Sequence, residues 1–169
     1  EIHLRDCREY GSANNMEISI SFLGKGGCGM HTLGKIVRNA FIKDYPHLSV
    51  ALSVDYDAVV RGGVSNCHLI ISEKPCNPVV EGKSDVSIDT CASWAVIRTR
   101  DETIYLSIPC NENRHVSESA RGYVLLGMLV AREYVALSRE AIRVSIEDEC
   151  NTSRIRSANQ SAFEKGLNL

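Results

Sequence analysis

The sequence predicts an α/β domain of Rossmann-like, three-layer form, with a mixed sheet and a helical C-terminal third. Three observations lead there. An alternating segment runs into a glycine-rich loop and then into apolar residues spaced at three and four. The middle of the chain holds short alternating runs separated by turn residues, and the last third is helical in period. With 169 residues, 44% of them hydrophobic, the chain can fill one compact core but not two.

The elements follow in order. Glu1 to Asn15 is polar, lacks the pattern of a signal peptide, and is expected to be a loose N-terminal extension (1–15) to a domain spanning 16–169. Met16 to Leu23 alternates apolar and polar residues as a strand does, stopping at Gly24. Met30, Leu33, Ile36, Val37, Ala40 and Phe41 then make one apolar stripe of a helix that ends near Asp44 and Pro46. Leu48 to Val54 reads as the next strand, reached through a parallel, right-handed crossover. Further strands are expected at Val64 to Ser72, Asp85 to Asp89, Ala95 to Thr99 and Thr103 to Ile108, with Pro75, Asn77 and Pro78 forcing a turn. From about Val116 the chain is helical, with Val124, Leu125, Met128, Leu129 and Val135 on one side. A second helix starts at Ser138, and a third over Arg154 to Lys165 is stopped by Gly166.

Composition excludes several functions. Nineteen Lys and Arg against 21 Asp and Glu, with no basic block, give none of the phosphate-neutralising charge a nucleic-acid binder uses. The run Val124 to Ala131, broken by Gly127, falls short of the roughly 20 residues a membrane span requires. Seven cysteines (Cys7, Cys28, Cys67, Cys76, Cys91, Cys110, Cys150), odd in number and never in a C-x-x-C pair, read as reduced thiols of a cytoplasmic protein, with a disulfide framework as the alternative. His68, Arg114 and His115 have no second ligand at metal spacing, so no metal site is expected.

Gly24-Lys25-Gly26-Gly27-Cys28-Gly29 fits G-x-G-x-x-G between a predicted strand and a predicted helix. Glycines let a backbone approach a phosphate, and the helix dipole attracts its charge. The alternative is that they only permit a tight turn and close helix packing. Asp55 or Asp57 could bind a nicotinamide ribose or simply be solvated. Arg61-Gly62-Gly63 offers a guanidinium fork beside a sharp bend, or a surface arginine beside a flexible turn. Cys28, at a helix N-terminus beside Lys25, could be a reactive thiolate or an inert packed residue. His31 could touch a phosphate or merely lie on the surface.

Together these residues resemble the gamma subunit of 2-oxoacid:ferredoxin oxidoreductases. The resemblance rests on Gly24 to Gly29, on Tyr56 with Arg61-Gly62-Gly63, and on Asn66-Cys67 followed by the run Ile70 to Val80. Asp85, Ile108-Pro109, Leu126-Gly127, Asn159 and Ala162 to Gly166 extend it, so that it runs from about Ile18 to Gly166. The Asn66 to Pro75 stretch is most similar to the 2-oxoglutarate type. The chain departs from the family pattern at Cys28, where Gln is usual, at Tyr56 to Val60 before Arg61, and in a shorter segment between Asp89 and Thr103.

The resemblance implies oxidative decarboxylation of a 2-oxoacid to an acyl-CoA with reduction of ferredoxin. It further implies companion alpha and beta subunits, with a delta subunit where the complex has one. These companions would carry thiamine diphosphate, magnesium and iron-sulfur clusters. This chain would contribute to the coenzyme A side through Gly24, Gly26, Gly27, Cys28, Gly29, Arg61, Gly62 and Gly63, with no acid, base or nucleophile of its own. The residues agree with that division, since no thiamine signature and no iron-sulfur cysteine cluster occurs. The other expectation is a stand-alone nucleotide-binding or scaffold module without catalysis.

Overall fold

The computed structural model describes residues 17–55, 63–76, 83–99 and 101–169. Six strands and five helices follow one another as β1 (Glu17–Lys25), α1 (Met30–Asp44), β2 (Ser49–Asp55), β3 (Val64–Ser72), β4 (Val86–Asp89), β5 (Trp94–Arg98), β6 (Thr103–Ser107), α2 (Cys110–Asn113), α3 (Glu118–Ala131), α4 (Arg139–Glu149) and α5 (Ser153–Leu167). The expected mixed-sheet α/β architecture with a helical C-terminal third is what the chain adopts.

The sheet order is β2-β3-β1-β4-β5-β6. β1 pairs antiparallel with β3 and parallel with β4, while β2 with β3, β4 with β5, and β5 with β6 are antiparallel. The sheet is thus two antiparallel halves joined along one parallel seam. β1 and β2 run in the same direction, as a helical crossover requires, but β3 lies between them. That insertion is the main departure from the sequence expectation.

Alternation sorts the sheet into two faces. Ile20 and Phe22 of β1, Leu69 and Ile71 of β3, Val86 and Ile88 of β4, and Ala95 and Ile97 of β5 sit on one face and are buried. The helices α1 and α3 cover that face and touch each other where Leu33 of α1 meets Gly122 of α3. Behind them, α4 packs on α1 and α5 on α3, so the layers run sheet, inner helices, outer helices. The opposite face presents Ser19, Ser21, Ser53, Ser87, Trp94 and Tyr105.

All six apolar positions expected on the α1 stripe are buried. The α3 expectation of a single apolar side gives way to a helix buried all round from Gly122 to Val130, because α1, the sheet and α5 enclose it. Val135 lies beyond α3 yet is buried in the same core. Ser138 caps α4 by accepting from the Ala141 N–H at 3.0 Å. Its own N–H and hydroxyl donate to the Asp44 carboxylate at 2.6 and 2.8 Å, joining the end of α1 to the start of α4. Gly166 does not stop α5 but lies within it, crossing α3 at Gly127, where a Cβ on either glycine would overlap the facing backbone. Among the described residues, no helix is long and apolar enough to cross a membrane.

Candidate functional site at the mouth of the parallel seam

Ligands of open α/β sheets gather beyond the C-terminal ends of parallel strands, where the loops leave in different directions. Here β1 and β4 are the adjacent parallel pair, and their C-terminal ends release the glycine loop 26–29 and the turn 90–93. The two are stitched together, since the Thr90 N–H and hydroxyl both donate to the Leu23 carbonyl, at 3.0 and 3.2 Å. Gly24 belongs to β1 itself, and a Cβ there would come within 2.6 Å of Thr90 Oγ1 and 2.7 Å of Met30 Cγ. Its role is close packing.

Gly27 and Gly29 are different. Their φ values of 87° and 78° lie in the left-handed region, and a Cβ on either would meet nothing among the described residues within 4 Å. The backbone turn requires glycine there, not a crowded neighbour. Gly29 is the N-cap of α1, which has no side-chain cap and no acidic residue in its first turn. Its opening amides and dipole therefore face outward with no carboxylate of the helix itself to neutralise them. Two loop amides are already engaged: Cys28 N–H donates to the Lys25 carbonyl at 3.0 Å and Gly26 N–H to the Gly63 carbonyl at 2.7 Å.

The Gly26–Gly63 bond brings the glycine loop against Gly63, the last residue of the second segment singled out in the sequence, because β1 and β3 are zipped antiparallel down to Lys25 opposite Val64. Arg61, Gly62, Tyr56 and Asp57 lie outside the described residues. Asp55 ends β2, two strands away from β1. A dinucleotide ribose site requires the acidic residue on the strand next to β1. The insertion of β3 removes that geometry.

His31 stands in the first turn of α1 with its Nε2 at 3.1 Å from Ser65 Oγ at the start of β3. Cys28 departs from the reading of an activated thiolate. Its Sγ lies 3.8 Å from Glu118 Oε2, and Lys25 Nζ pairs with the same carboxylate oxygen at 4.0 Å. Partial burial, then the charge and hydrogen bond of Glu118, push the thiol pKa up, outweighing the opposite pull of Lys25; Cys91 adds a small push in the same direction. The expected depression fails because the thiol is partly buried and because the N-terminus of α3 delivers a carboxylate to the spot where the α1 dipole acts.

Sequence reasoning missed Glu118 and Arg121. Arg121 Nη1 donates to the Thr90 carbonyl at 3.3 Å, and its Nε is buried with no hydrogen-bond partner among the described residues. The available signal was Arg121 as the lone charged residue of α3 after Glu118. Other residues carrying the resemblance have structural work. Asp85 accepts from the Ser19 N–H and hydroxyl, both at 2.7 Å, which pins the entry of β4 to β1. Phe163 is fully buried, and Asn159 Nδ2 donates to Cys150 Sγ at 3.3 Å. Among the described residues, no group of three or more His, Cys, Asp or Glu could hold a metal ion.

No family model matches the sequence, and none of the curated proteins does. Solved structures do match. The chain superimposes on a keto/oxoacid ferredoxin oxidoreductase gamma subunit from Geobacter sulfurreducens with a TM-score of 0.58 at 22% identity, covering 90% of this chain and 95% of that one. The pyruvate oxidoreductase subunit PORC of Thermotoga maritima gives 0.58 at 16%, covering 90% and 96%. The 2-oxoglutarate:ferredoxin oxidoreductase of Magnetococcus marinus, solved with 2-oxoglutarate, coenzyme A and succinyl-CoA bound, gives 0.64 at 16%. It matches 90% of this chain but only 30% of its own, so there the same fold is one part of a longer polypeptide. The architecture is that of an α/β unit with a mixed, seam-bearing sheet. More narrowly, it is the fold of 2-oxoacid:ferredoxin oxidoreductase gamma subunits.

Proposed function

We propose that this chain is the gamma component of a 2-oxoacid:ferredoxin oxidoreductase and forms part of its coenzyme A side. The observation that carries the reading is the Gly26–Gly63 bond, which sets the glycine loop against the residue that follows Arg61-Gly62, beside a start of α1 that has no side-chain cap and no acidic residue of its own. Amides at a helix N-terminus and a nearby guanidinium suit phosphate, and coenzyme A carries several phosphates. No described atom lies within 4 Å of a Cβ on Gly27 or Gly29, which leaves the loop approachable by such a group, and Arg61, two residues before Gly63, would supply the charge. Glu118 limits where the phosphate sits, because its carboxylate occupies the Lys25 and Cys28 side of the loop.

In this division of labour, thiamine diphosphate, magnesium and iron-sulfur clusters belong to the alpha, beta and other companion subunits, and electrons leave to ferredoxin through them. This chain binds and orients; it supplies no acid, base or nucleophile. Gly26, Gly27 and Gly29 shape the loop, Gly24 packs beneath it within β1, and Gly63 holds the second segment against it. Localisation in the cytoplasm follows from the same reading.

The test is co-expression with the companion chains, followed by coenzyme A-dependent reduction of ferredoxin by a 2-oxoacid. Gly29→Asp places a carboxylate at the α1 N-terminus in a conformation that Asp tolerates, and is expected to raise the KM for coenzyme A about tenfold or more while the complex still assembles. An assembled, active complex whose coenzyme A KM is indifferent to Gly29→Asp removes the site. A chain that neither joins the companions nor supports the reaction is instead a stand-alone scaffold or nucleotide-binding module.

A further inference from the structure

β6 is an edge strand, with β5 on one side and no strand among the described residues on the other. Edges of natural sheets are blunted by lysine, proline, bulges or a covering element, because their unpaired amides and carbonyls template pairing with another chain. Thr103-Ile104-Tyr105-Leu106-Ser107 carries no charge, no proline and no glycine, and consists largely of β-favouring residues.

Antiparallel alternation fixes which backbone groups face outward. The ladder between β5 and β6 is flanked by the bonds Thr99 N–H to Glu102 carbonyl at 2.9 Å and Ile108 N–H to Ser93 carbonyl at 3.2 Å. Counting inward by twos from each end, Ile104 and Leu106 bond to β5, while the N–H and C=O groups of Thr103, Tyr105 and Ser107 point away from it. The strand is also symmetric about Tyr105: hydroxyl residues stand two positions to either side, aliphatic residues one position to either side.

We propose that β6 pairs antiparallel with β6 of a second copy of this chain, on a two-fold axis through Tyr105, continuing the sheet from one copy into the other. An isologous interface must be self-complementary, and this register is. Thr103 faces Ser107 of the second copy and Tyr105 faces Tyr105, each pair exchanging both backbone hydrogen bonds. Ile104 faces Leu106 on the helix-covered face, where both are only partly buried in the single chain. On the other face the edge-to-face pair Trp94–Tyr105, with centroids 6.0 Å apart and both rings exposed, becomes the centre of an aromatic row across the axis. No like charges oppose each other, since Asp101 and Glu102 fall opposite Pro109 and Ile108, and Pro109, lacking an N–H, ends the ladder. This inference does not depend on the function proposed above.

The molar mass of the full chain in solution tests it. At about 100 μM, which saturates an interface of low-micromolar affinity, the wild-type chain is expected at twice its single-chain mass. On dilution, emission of Trp94, the one tryptophan, should shift to the red. Tyr105→Lys sets two ammonium groups together on the axis and is expected to give single chains with an unchanged thermal midpoint. A second pair of variants keeps the Tyr105 ring and changes only the exposed Thr103 and Ser107. Thr103→Lys with Ser107→Lys, and Thr103→Glu with Ser107→Glu, should each be monomeric alone and dimeric when mixed. A wild-type chain at single-chain mass under these conditions, or a dimer that survives all of these substitutions, overturns the proposal.

Discussion

Glu133 shows how a single residue can work against its own position. It follows α3 with φ 60°, and the bonds Tyr134 N–H to Leu129 carbonyl (2.9 Å) and Glu133 N–H to Val130 carbonyl (3.1 Å) define a Schellman ending, whose left-handed residue is usually glycine. Glu133 is exposed and bears that strain with no compensating contact in the described bonds. Glu133→Gly is expected to stabilise the chain by about 1 kcal/mol, raising the thermal midpoint by about 2–4 °C. Cys28 sits under an opposite kind of local control. With its thiol pKa raised by burial and by Glu118, the thiolate fraction near neutral pH is small and grows only as pH climbs past the ordinary thiol range. Iodoacetamide should therefore modify Cys28 more slowly at pH 7.5 than the exposed Cys91 and Cys110, and Glu118→Gln should speed Cys28 alone. Equal rates before and after that substitution would remove Glu118 as a contributor beside burial.

Among the elements, α3 and α5 are held by proximity. A Cβ at Gly166 would overlap the Val124 carbonyl, and one at Gly127 the Phe163 carbonyl, so the two helices meet backbone to backbone. Gly166→Ala must push α5 outward along its contact with α3 and is expected to cost about 1–3 kcal/mol, read as a lower midpoint of chemical unfolding with the fold retained. In the sequence, Gly166 reads as a helix stop because a glycine's local penalty is visible there and its distant partner is not. The same limit explains α3. A stripe of apolar residues at three and four is legible, but burial on every side depends on α5, which lies more than twenty residues further on. The α1 stripe and the Ser138 cap were legible because both are settled within one or two turns of helix.

Across the whole molecule, apolar runs bounded by turn residues, alternating in the first of them, place the six described strands to within two residues, and the mixed sheet follows from them. Their order did not follow. Alternation says which side chains share a face and nothing about which strand is the neighbour, so the insertion of β3 between β1 and β2 stayed hidden. The candidate site is similarly divided. The glycines of the loop were visible as a motif, but their distinct duties were not: Gly24 packs, Gly26 bonds to Gly63, and Gly27 and Gly29 turn the chain. Glu118 and Arg121 reach the same mouth from a helix about ninety residues away in sequence, a distance no motif spans.

The antiparallel half β2-β3-β1 with α1 is complete once Ser72 has been synthesised, yet the outer side of α1 is closed by α4, residues Arg139–Glu149. The other half, β4-β5-β6, waits likewise for α3, and α3 for α5. A nascent chain must therefore carry an uncovered apolar helix until α5 has left the ribosome. Premature termination anywhere before Leu167 would release a sticky fragment instead of a smaller working unit.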